Sequence, residues 1–399
     1  MRNVTVLASL LLLVPAVSQA KSLEELLVDR GVITKGEAQA AGSSAAKVYW
    51  KDGSRFDFPD SGFTAKINSF IQTRYQFTDN DESENVSSFS VGKARIILSG
   101  SALHEEFKYY ISSDFVGTSG VDGEKVASLR DAYLQWSTCD NMSLRMGQWK
   151  TPVSRQYNTS DHALQFADRS QASDFFDLDR NQGASAMWDL MDGDLQVAVG
   201  AWNGASDGEG INRGGVDTNH TGTASVRYNV MGKMNAYNEG DVDWTEDTAV
   251  NVGATYAYSD ASAAALGGDF TQDDISVDAN LKYKGWSFHG EFFYENQDPD
   301  AGVKAEPMGF YTQIGYFLEP KKWEIAARYG LVDCDDGKVS RGDCSGNEKV
   351  NQVTVGINHY WWKHNLKAQL NYDHVNERVL GEGDDINTNK WLLQLSSYF

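Results

Sequence analysis

After residue 20 no apolar run approaches the ~20 residues that a membrane-spanning helix requires. Instead, from Phe63 to Phe399, stretches of about ten residues repeatedly alternate apolar with polar positions. In "AKINSFIQTRYQF", Ala65, Ile67, Ile71, Tyr75 and Phe77 share one face and Lys66, Asn68, Gln72 and Arg74 the other. "GKARIILSG" sets Ala94, Ile96 and Leu98 against Lys93 and Arg95, and "DISVDANLKYK" sets Ile275, Val277 and Leu281 against Ser276, Asp278 and Lys282. Successive side chains of a strand point to opposite faces, so each run predicts a strand with one oily and one wet side. About sixteen such runs begin near residues 63, 88, 106, 127, 141, 183, 194, 221, 248, 274, 285, 307, 321, 349, 363 and 387. The last, "WLLQLSSYF", carries the pattern to the final residue, and a terminus so regular is expected to be tied down.

What the oily faces touch depends on the compartment. Arg2, the apolar run 4–14 and Ser18-Gln19-Ala20 give residues 1–20 the form of a secretory signal peptide. The chain carries 35 Lys+Arg against 56 Asp+Glu, a net charge of −21, which argues against binding nucleic acid or anionic head groups through the bulk surface. Residues 21–46 hold two capping boxes, Ser22 with Glu25 and Thr34 with Glu37, and predict a small periplasmic helical hairpin. Residues 47–62 lead into the strands. Of the 3 cysteines, Cys334 and Cys344 bracket "CDDGKVSRGDC", which in an oxidising compartment reads as a disulfide closing one loop. A metal site is the alternative there, but no histidine lies nearby.

The connections sort by length. "HEE", "CDN", "MDGD", "KG", "EPKK" and "WKHN" are tight turns, while "TDNDESENVS", the stretch 151–182, "GASDGEGINRGGVDTN" and the cysteine-bracketed loop are long and mostly acidic. Short turns at one end and long loops at the other are how outer-membrane barrels are built. The segment 231–247 breaks the rule, being long on the short-turn side. A soluble β-sandwich also alternates, but sixteen strands would need a very large core. Aromatics moreover cluster at strand ends, at Trp136, Tyr256, Tyr258, Trp286, Tyr316, Trp323, Trp361 and Trp362, where interfacial girdles sit. The expected fold is therefore all-β: a 16-stranded antiparallel transmembrane β-barrel over 63–399, preceded by a short N-terminal helical segment. Its place is the outer membrane of a Gram-negative cell, against lipid and lipopolysaccharide.

Several stretches, read in order, resemble the phosphate-selective porin O/P family over nearly the whole chain. They are "FTAKINSFIQTRYQF", "FSVGKARIILSGSAL", "LRDAYLQW", "MGQWKTPVS" and "VAVGAWNG". The resemblance implies a homotrimeric diffusion channel with the loop at about 151–182 folded inward, an anion-preferring lumen and no cofactor. Terminal Phe399 resembles the signal read by barrel-insertion machinery.

Selectivity in such a channel comes from pore width and from the charge facing it. The alternation places Lys66, Arg74, Lys93, Arg95, Lys108, Arg145, Arg227, Lys282, Lys284, Arg328 and Lys367 inward. Asp114, Asp131, Asp278, Glu291, Glu295, Glu324 and Asp373 oppose them. The inward balance is thus basic while the chain as a whole is acidic. Arg155, Arg169 and Arg180 are the cations of the inward loop, mixed there with Asp161, Asp168, Asp174, Asp177 and Asp179. Dedicated phosphate members of the family carry an arginine ladder, and "ASVRYNV" supplies only Arg227. Phosphate or another small oxyanion leads as solute. A general or non-selective porin and a non-conducting structural or adhesive barrel remain as alternatives. The 7 histidines form no metal-ligand motif and no GxSxG stretch is present, so catalysis is not expected; His289 beside Glu291 is the best candidate pair.

Overall fold

The computed structural model describes residues 27–32, 34–36, 46–116, 127–203, 219–263, 268–300, 303–335, 347–379, 381 and 385–399. Residues 27–29 and 35–36 are helical, and the rest of the hairpin expected over 21–46 lies largely outside the described residues. The lead-in forms a short hairpin of β1 (Lys47–Trp50) and β2 (Ser54–Phe58). The wall begins with β3 (Phe63–Asn80), β4 (Ser83–Ala102), β5 (Phe107–Asp114), β6 (Ser128–Cys139), β7 (Met142–Lys150) and β8 (Arg180–Leu190). It continues through β9 (Leu195–Asn203), β10 (His220–Met231), β11 (Ala249–Ala263), β12 (Gly268–Tyr283) and β13 (Trp286–Pro299). The remaining strands are β14 (Met308–Glu319), β15 (Trp323–Asp333), β16 (Asn347–Trp362), β17 (Leu366–Val379) and β18 (Ile386–Tyr398).

Each strand from β3 to β18 pairs antiparallel with the next, and β18 returns to β3 from Thr388↔Asn80 to Tyr398↔Phe70. Sixteen strands thus close on themselves. Closure continues to the last residue: Ser69 N donates to the Phe399 carbonyl and Phe399 N to the Ser69 carbonyl. In hydrocarbon an unpaired backbone group costs several kcal/mol, so a closed ring is the form a sheet must take there. Below the point where β18 ends, β2 pairs with β3 from Ser54↔Ile67 to Phe58↔Phe63, occupying the edge that the terminal strand leaves open.

The alternation sorts the faces as expected. Ile67, Ile71 and Tyr75 of β3 and Trp391, Leu393 and Leu395 of β18 are exposed outward, whereas Asn68, Gln72, Gln394 and Ser396 are buried inside. The predicted strand starts hold within a few residues at most positions; β4 and β12 start earlier, at Ser83 and Gly268. Of the aromatics expected at the interfaces, Trp136, Tyr256, Tyr258, Trp286, Trp323, Trp361 and Trp362 are exposed, and Tyr316 lies 4.4 Å from Trp286 between ring centroids. The "KG" turn takes Lys284 (φ 45°) and Gly285 (φ 86°) through left-handed conformations, as a two-residue hairpin turn requires. Lys284 therefore sits exposed in the turn beside the Tyr283 ring and does not line the lumen, contrary to the simple alternation.

Cys139 is a free, exposed thiol, and Cys334 is buried and disulfide-bonded; Cys344 lies outside the described residues.

The register makes a paired test possible. Leu393→Arg, on the lipid face, should slow or block assembly, with a cost of about 2–4 kcal/mol at the bilayer midplane. Gln394→Arg, one residue on and facing inward, should assemble as heat-modifiable barrel on gels. Equal assembly of the two would refute this register.

Candidate functional site

Two segments enter the lumen from opposite ends. The first, 151–179, joins β7 to β8 and holds α1 (Arg155–Asn158), a 3₁₀ turn (Asp161–Ala163) and α2 (Gln171–Phe175). Local chemistry shapes it: Ser154 caps α1 by accepting from Tyr157 N, and Ser170 caps α2 by accepting from Ser173 N. The loop ends at Asp179, so Arg180 opens β8 and is a wall residue rather than a loop residue. The second segment, 232–248, joins β10 to β11 on the short-turn side. It is the connection whose length stood out in the sequence. Its Asp241 accepts from Thr245 N and from Gly285 N of the neighbouring turn, which folds the segment inward.

The two segments meet at Glu239, which is fully buried. Its carboxylate accepts from Arg155 Nη2 (3.1 Å), Gln156 Nε2 (3.0 Å), Gln165 N (3.0 Å) and Gln313 Nε2 (2.9 Å). Burial alone would raise the pKa of this carboxyl, but Arg155 and the surrounding donors outweigh it and hold the pKa at about 2. Asp161 is held likewise well below the usual carboxylate range, burial being overcome by Arg169, Arg95 and Lys150. The plug leans on the β11–β18 wall. Glu291 of β13 accepts from Arg155 N and Gln156 N at the start of α1, while Phe176 stacks on Phe293 at 5.1 Å within a cluster holding Tyr311, Val332 and Val350. Gln165 Nε2 donates to Glu324, and its carbonyl accepts from Asn358 and Gln369. His289 and Glu291 do not pair with each other: His289 Nδ1 meets Asn280, and its Nε2 accepts from Gly240 N.

The expected cations divide into two groups. The tied group fastens the plug or the wall. Arg74 bridges Asp168 and Gln394, and Arg95 bridges Asp114 (2.7 Å) and Asp161 (2.6 Å). Arg169 meets Asp161, Arg180 meets Asp131, and Arg328 donates to the Asp168 carbonyl and Thr354. Lys282 and Lys367 donate to the carbonyls of Asn238 and Leu164. Arg227 pairs with Asp278 at 2.8 Å across Gly253, whose absent Cβ leaves room: a carbon there would come within 2.4 Å of Asp278 Oδ2. Arg155, its side chain fully buried against Glu239, is an anchor at the edge of the cavity described below.

The second group faces open space. Lys66, Lys93 and Arg145 pair with no carboxylate among the described residues. Arg145 gives Nε and Nη2 to Gln135 Oε1 and lies over the Tyr133 ring at 4.3 Å. Lys108 is exposed near the short-turn mouth. Simple alternation missed Arg130: a bulge opposite Ser112 and Ser113 shifts the register, and its Nε is buried without a partner. It also omitted Lys150, which donates to the Tyr157 and Thr159 carbonyls, and Lys390, which pairs with Asp168.

One cavity of about 280 Å3, where Lys93 sits with Arg74, Asp161, Asp168, Asp373 and Lys390, lies between the plug and β3, β4 and β16–β18, and three others lie along the rest of the wall. A cavity of about 440 Å3 is lined by Arg145, Trp149, Ser185, Ser225 and Tyr237 among others. It shares Arg145, Trp149 and Lys150 with a 260 Å3 cavity reaching Arg95 and Arg180, and Arg227 and Tyr237 with a 510 Å3 cavity at the short-turn end. Together they trace a route along β3–β10.

A closed sixteen-stranded ring, apolar outside and polar within, with inward segments narrowing a hydrated lumen, defines an outer-membrane porin. The family model for phosphate-selective porin O and P matches residues 63–399, and the chain belongs to that family. An uncharacterized protein of Aquifex aeolicus (strain VF5) is 24% identical over 445 residues, 98% of this chain and 99% of that one. Among solved structures, the outer membrane channel DcaP of Acinetobacter baumannii superposes with a TM-score of 0.62 at 16% identity, covering 85% of this chain and 98% of that chain. The anion-selective porin from Comamonas acidovorans gives 0.59 at 13% identity, covering 84% and 99%. OprB of Pseudomonas putida gives 0.57 at 11%, covering 85% and 95%.

Glu239→Gln should unfasten the two segments, because it removes the carboxylate at 3.1 Å from the buried Arg155 guanidinium and leaves only Asp278 at 3.9 Å, a class of change that costs up to about 3–5 kcal/mol. Single-channel recording should show a larger, noisier conductance than wild type. A depressed carboxyl pKa stabilises the folded form above the ordinary carboxylate value, and that contribution fades as pH falls through the folded value. Wild-type conductance should therefore hold down to about pH 4 and rise as pH approaches 2, while Glu239→Gln shows no such transition.

Proposed function

We propose that the pore passes small solutes with a preference for anions, along the β3–β10 side of the lumen. The observation that carries this is the distribution of charge compensation. On the β11–β18 wall Lys282, Arg328, Lys367 and Lys390 are engaged by the plug or a neighbour, whereas Lys66 on β3, Lys93 on β4, Arg130 on β6 and Arg145 on β7 make no ion pair among the described residues. A partnered cation contributes little net field, while an unpartnered one in a narrow water-filled route attracts anions and repels cations. The resemblance to a porin named as anion-selective supports the same sign. Small oxyanions, phosphate among them, fit the family, although the tied arginines form no free ladder. The activity is passage, not catalysis.

We read Arg155, Arg169 and Arg180 as residues that hold the constriction in place. Assembly is read as a homotrimer, supported by a structural relative described in trimer form at 11% identity and a TM-score of 0.53. The outer face of β4, where Phe89, Val91 and Ile96 are exposed, is the apolar surface that such an assembly would cover.

The test is the zero-current potential of the purified protein in a planar bilayer under a KCl gradient, with and without phosphate. Wild type should give an anion-directed potential, and Arg145→Glu combined with Lys93→Glu should move it toward cations. An unmoved potential places these residues outside the conducting route.

A further inference from the structure

The cavity overlooked by Arg145 is larger than an inorganic anion needs: at about 440 Å3 it falls in the range of pockets for organic ligands. It exists because the strands beside Arg145 carry short side chains, Ser185 on β8, Ala198 on β9, and Thr223 and Ser225 on β10, with Gly200 next to them on β9. Gly200 is short of necessity. A Cβ there would come within 2.9 Å of Trp202 Nε1 and 3.0 Å of Thr223 Oγ1, on the hydrogen bond that fixes the Trp202 ring.

The charged donors that reach this space are few. Arg155 is committed to Glu239, Lys150 to two carbonyls, and Arg227 to Asp278. Arg145 keeps Nη1 without a hydrogen-bond partner among the described residues, its other edge held by Gln135 and its face by the Tyr133 ring. Asp189, the carboxylate of the lining, accepts from Gln196. One guanidinium edge matches the single charge of one carboxylate, whereas a phosphate dianion calls for further charged donors, and Arg155, Lys150 and Arg227 are committed elsewhere. The rest of the lining includes Trp149, Val153, Met187 and Tyr237, which offer contact to carbon rather than to charge.

We propose that this cavity is an affinity site for small organic monocarboxylates with a hydrocarbon or aromatic body, held through the Arg145 guanidinium. The proposal rests on the anion-preferring reading of the pore and names the solute class that dwells there. A solute of this kind slows at the site and blocks the KCl current while it stays.

The experiment titrates benzoate, acetate and phosphate against the KCl conductance of the full-length protein in a planar bilayer at neutral pH and fixed ionic strength. Benzoate should half-block at a concentration about tenfold below acetate and phosphate, and Arg145→Gln should raise its value about tenfold, to that of acetate. Equal half-block by all three, tighter block by phosphate, or a benzoate preference that survives Arg145→Gln would overturn the site. The KCl zero-current potential, read in the same membranes, separates the two levels. An anion-directed potential without benzoate preference removes the site alone, and a cation-directed potential removes the reading beneath it as well.

Discussion

The rest of the molecule depends on the pairing of β18 with β3. A sheet in hydrocarbon has no water to satisfy its edges, so the ring must close before any of the wall is stable there. The terminal carboxy-end residue takes part, with Phe399 and Ser69 exchanging both backbone hydrogen bonds. Closure also fixes which face is which. Once Leu393 and Leu395 point to lipid, Gln394 and Ser396 have no choice but the interior, and the same parity propagates around the ring.

An interior lined by polar side chains is wide and hydrated, and two segments furnish it. Their attachment uses the chemistry that a low-dielectric, half-enclosed space makes strong: charge-assisted hydrogen bonds to Glu239, Asp161 and Glu291, and amide networks around Gln165. Each of these carboxylates receives several donors, which is the condition under which a buried charge holds a structure together instead of destabilising it. The aromatic contact of Phe176 with Phe293 adds the apolar part of the anchor.

Much of this was legible from residue order. The strands, their inward and outward faces and the tight turns follow from a period of two and from connection length, and the inward loop is what the family resemblance implied. Four things did not. Lys284 left the lumen because a two-residue turn rotates it out, and Arg130 entered because a bulge re-aims it; both are local breaks in a period that alternation assumes unbroken. Arg180 belongs to β8 because the loop is shorter than its polar composition suggested. The fourth is the most consequential: alternation counts charges but does not pair them. Arg227 and Arg145 look alike in sequence, yet one meets Asp278 from two strands away and the other meets only Gln135. Partners brought together by the fold, across separations such as Arg155 to Glu239, leave no local mark. The segment 232–248 did leave one, its excess length on the short-turn side, and that length is the inward fold.

The plug's anchors, on β11–β18 and at Arg74 and Arg95 of β3 and β4, leave β6–β10 as an arc with more freedom. On β11–β18 a substitution at Glu291, Gln313 or Glu324 disturbs several partners at once, so these positions can change only in concert. On β6–β10 the positions facing the route, such as Ser185 and Ser225, border open cavity. A lineage can therefore alter what its channel carries by single steps on one arc of the wall while the other arc keeps the architecture. Two proteins that share this barrel can differ in cargo without differing in fold.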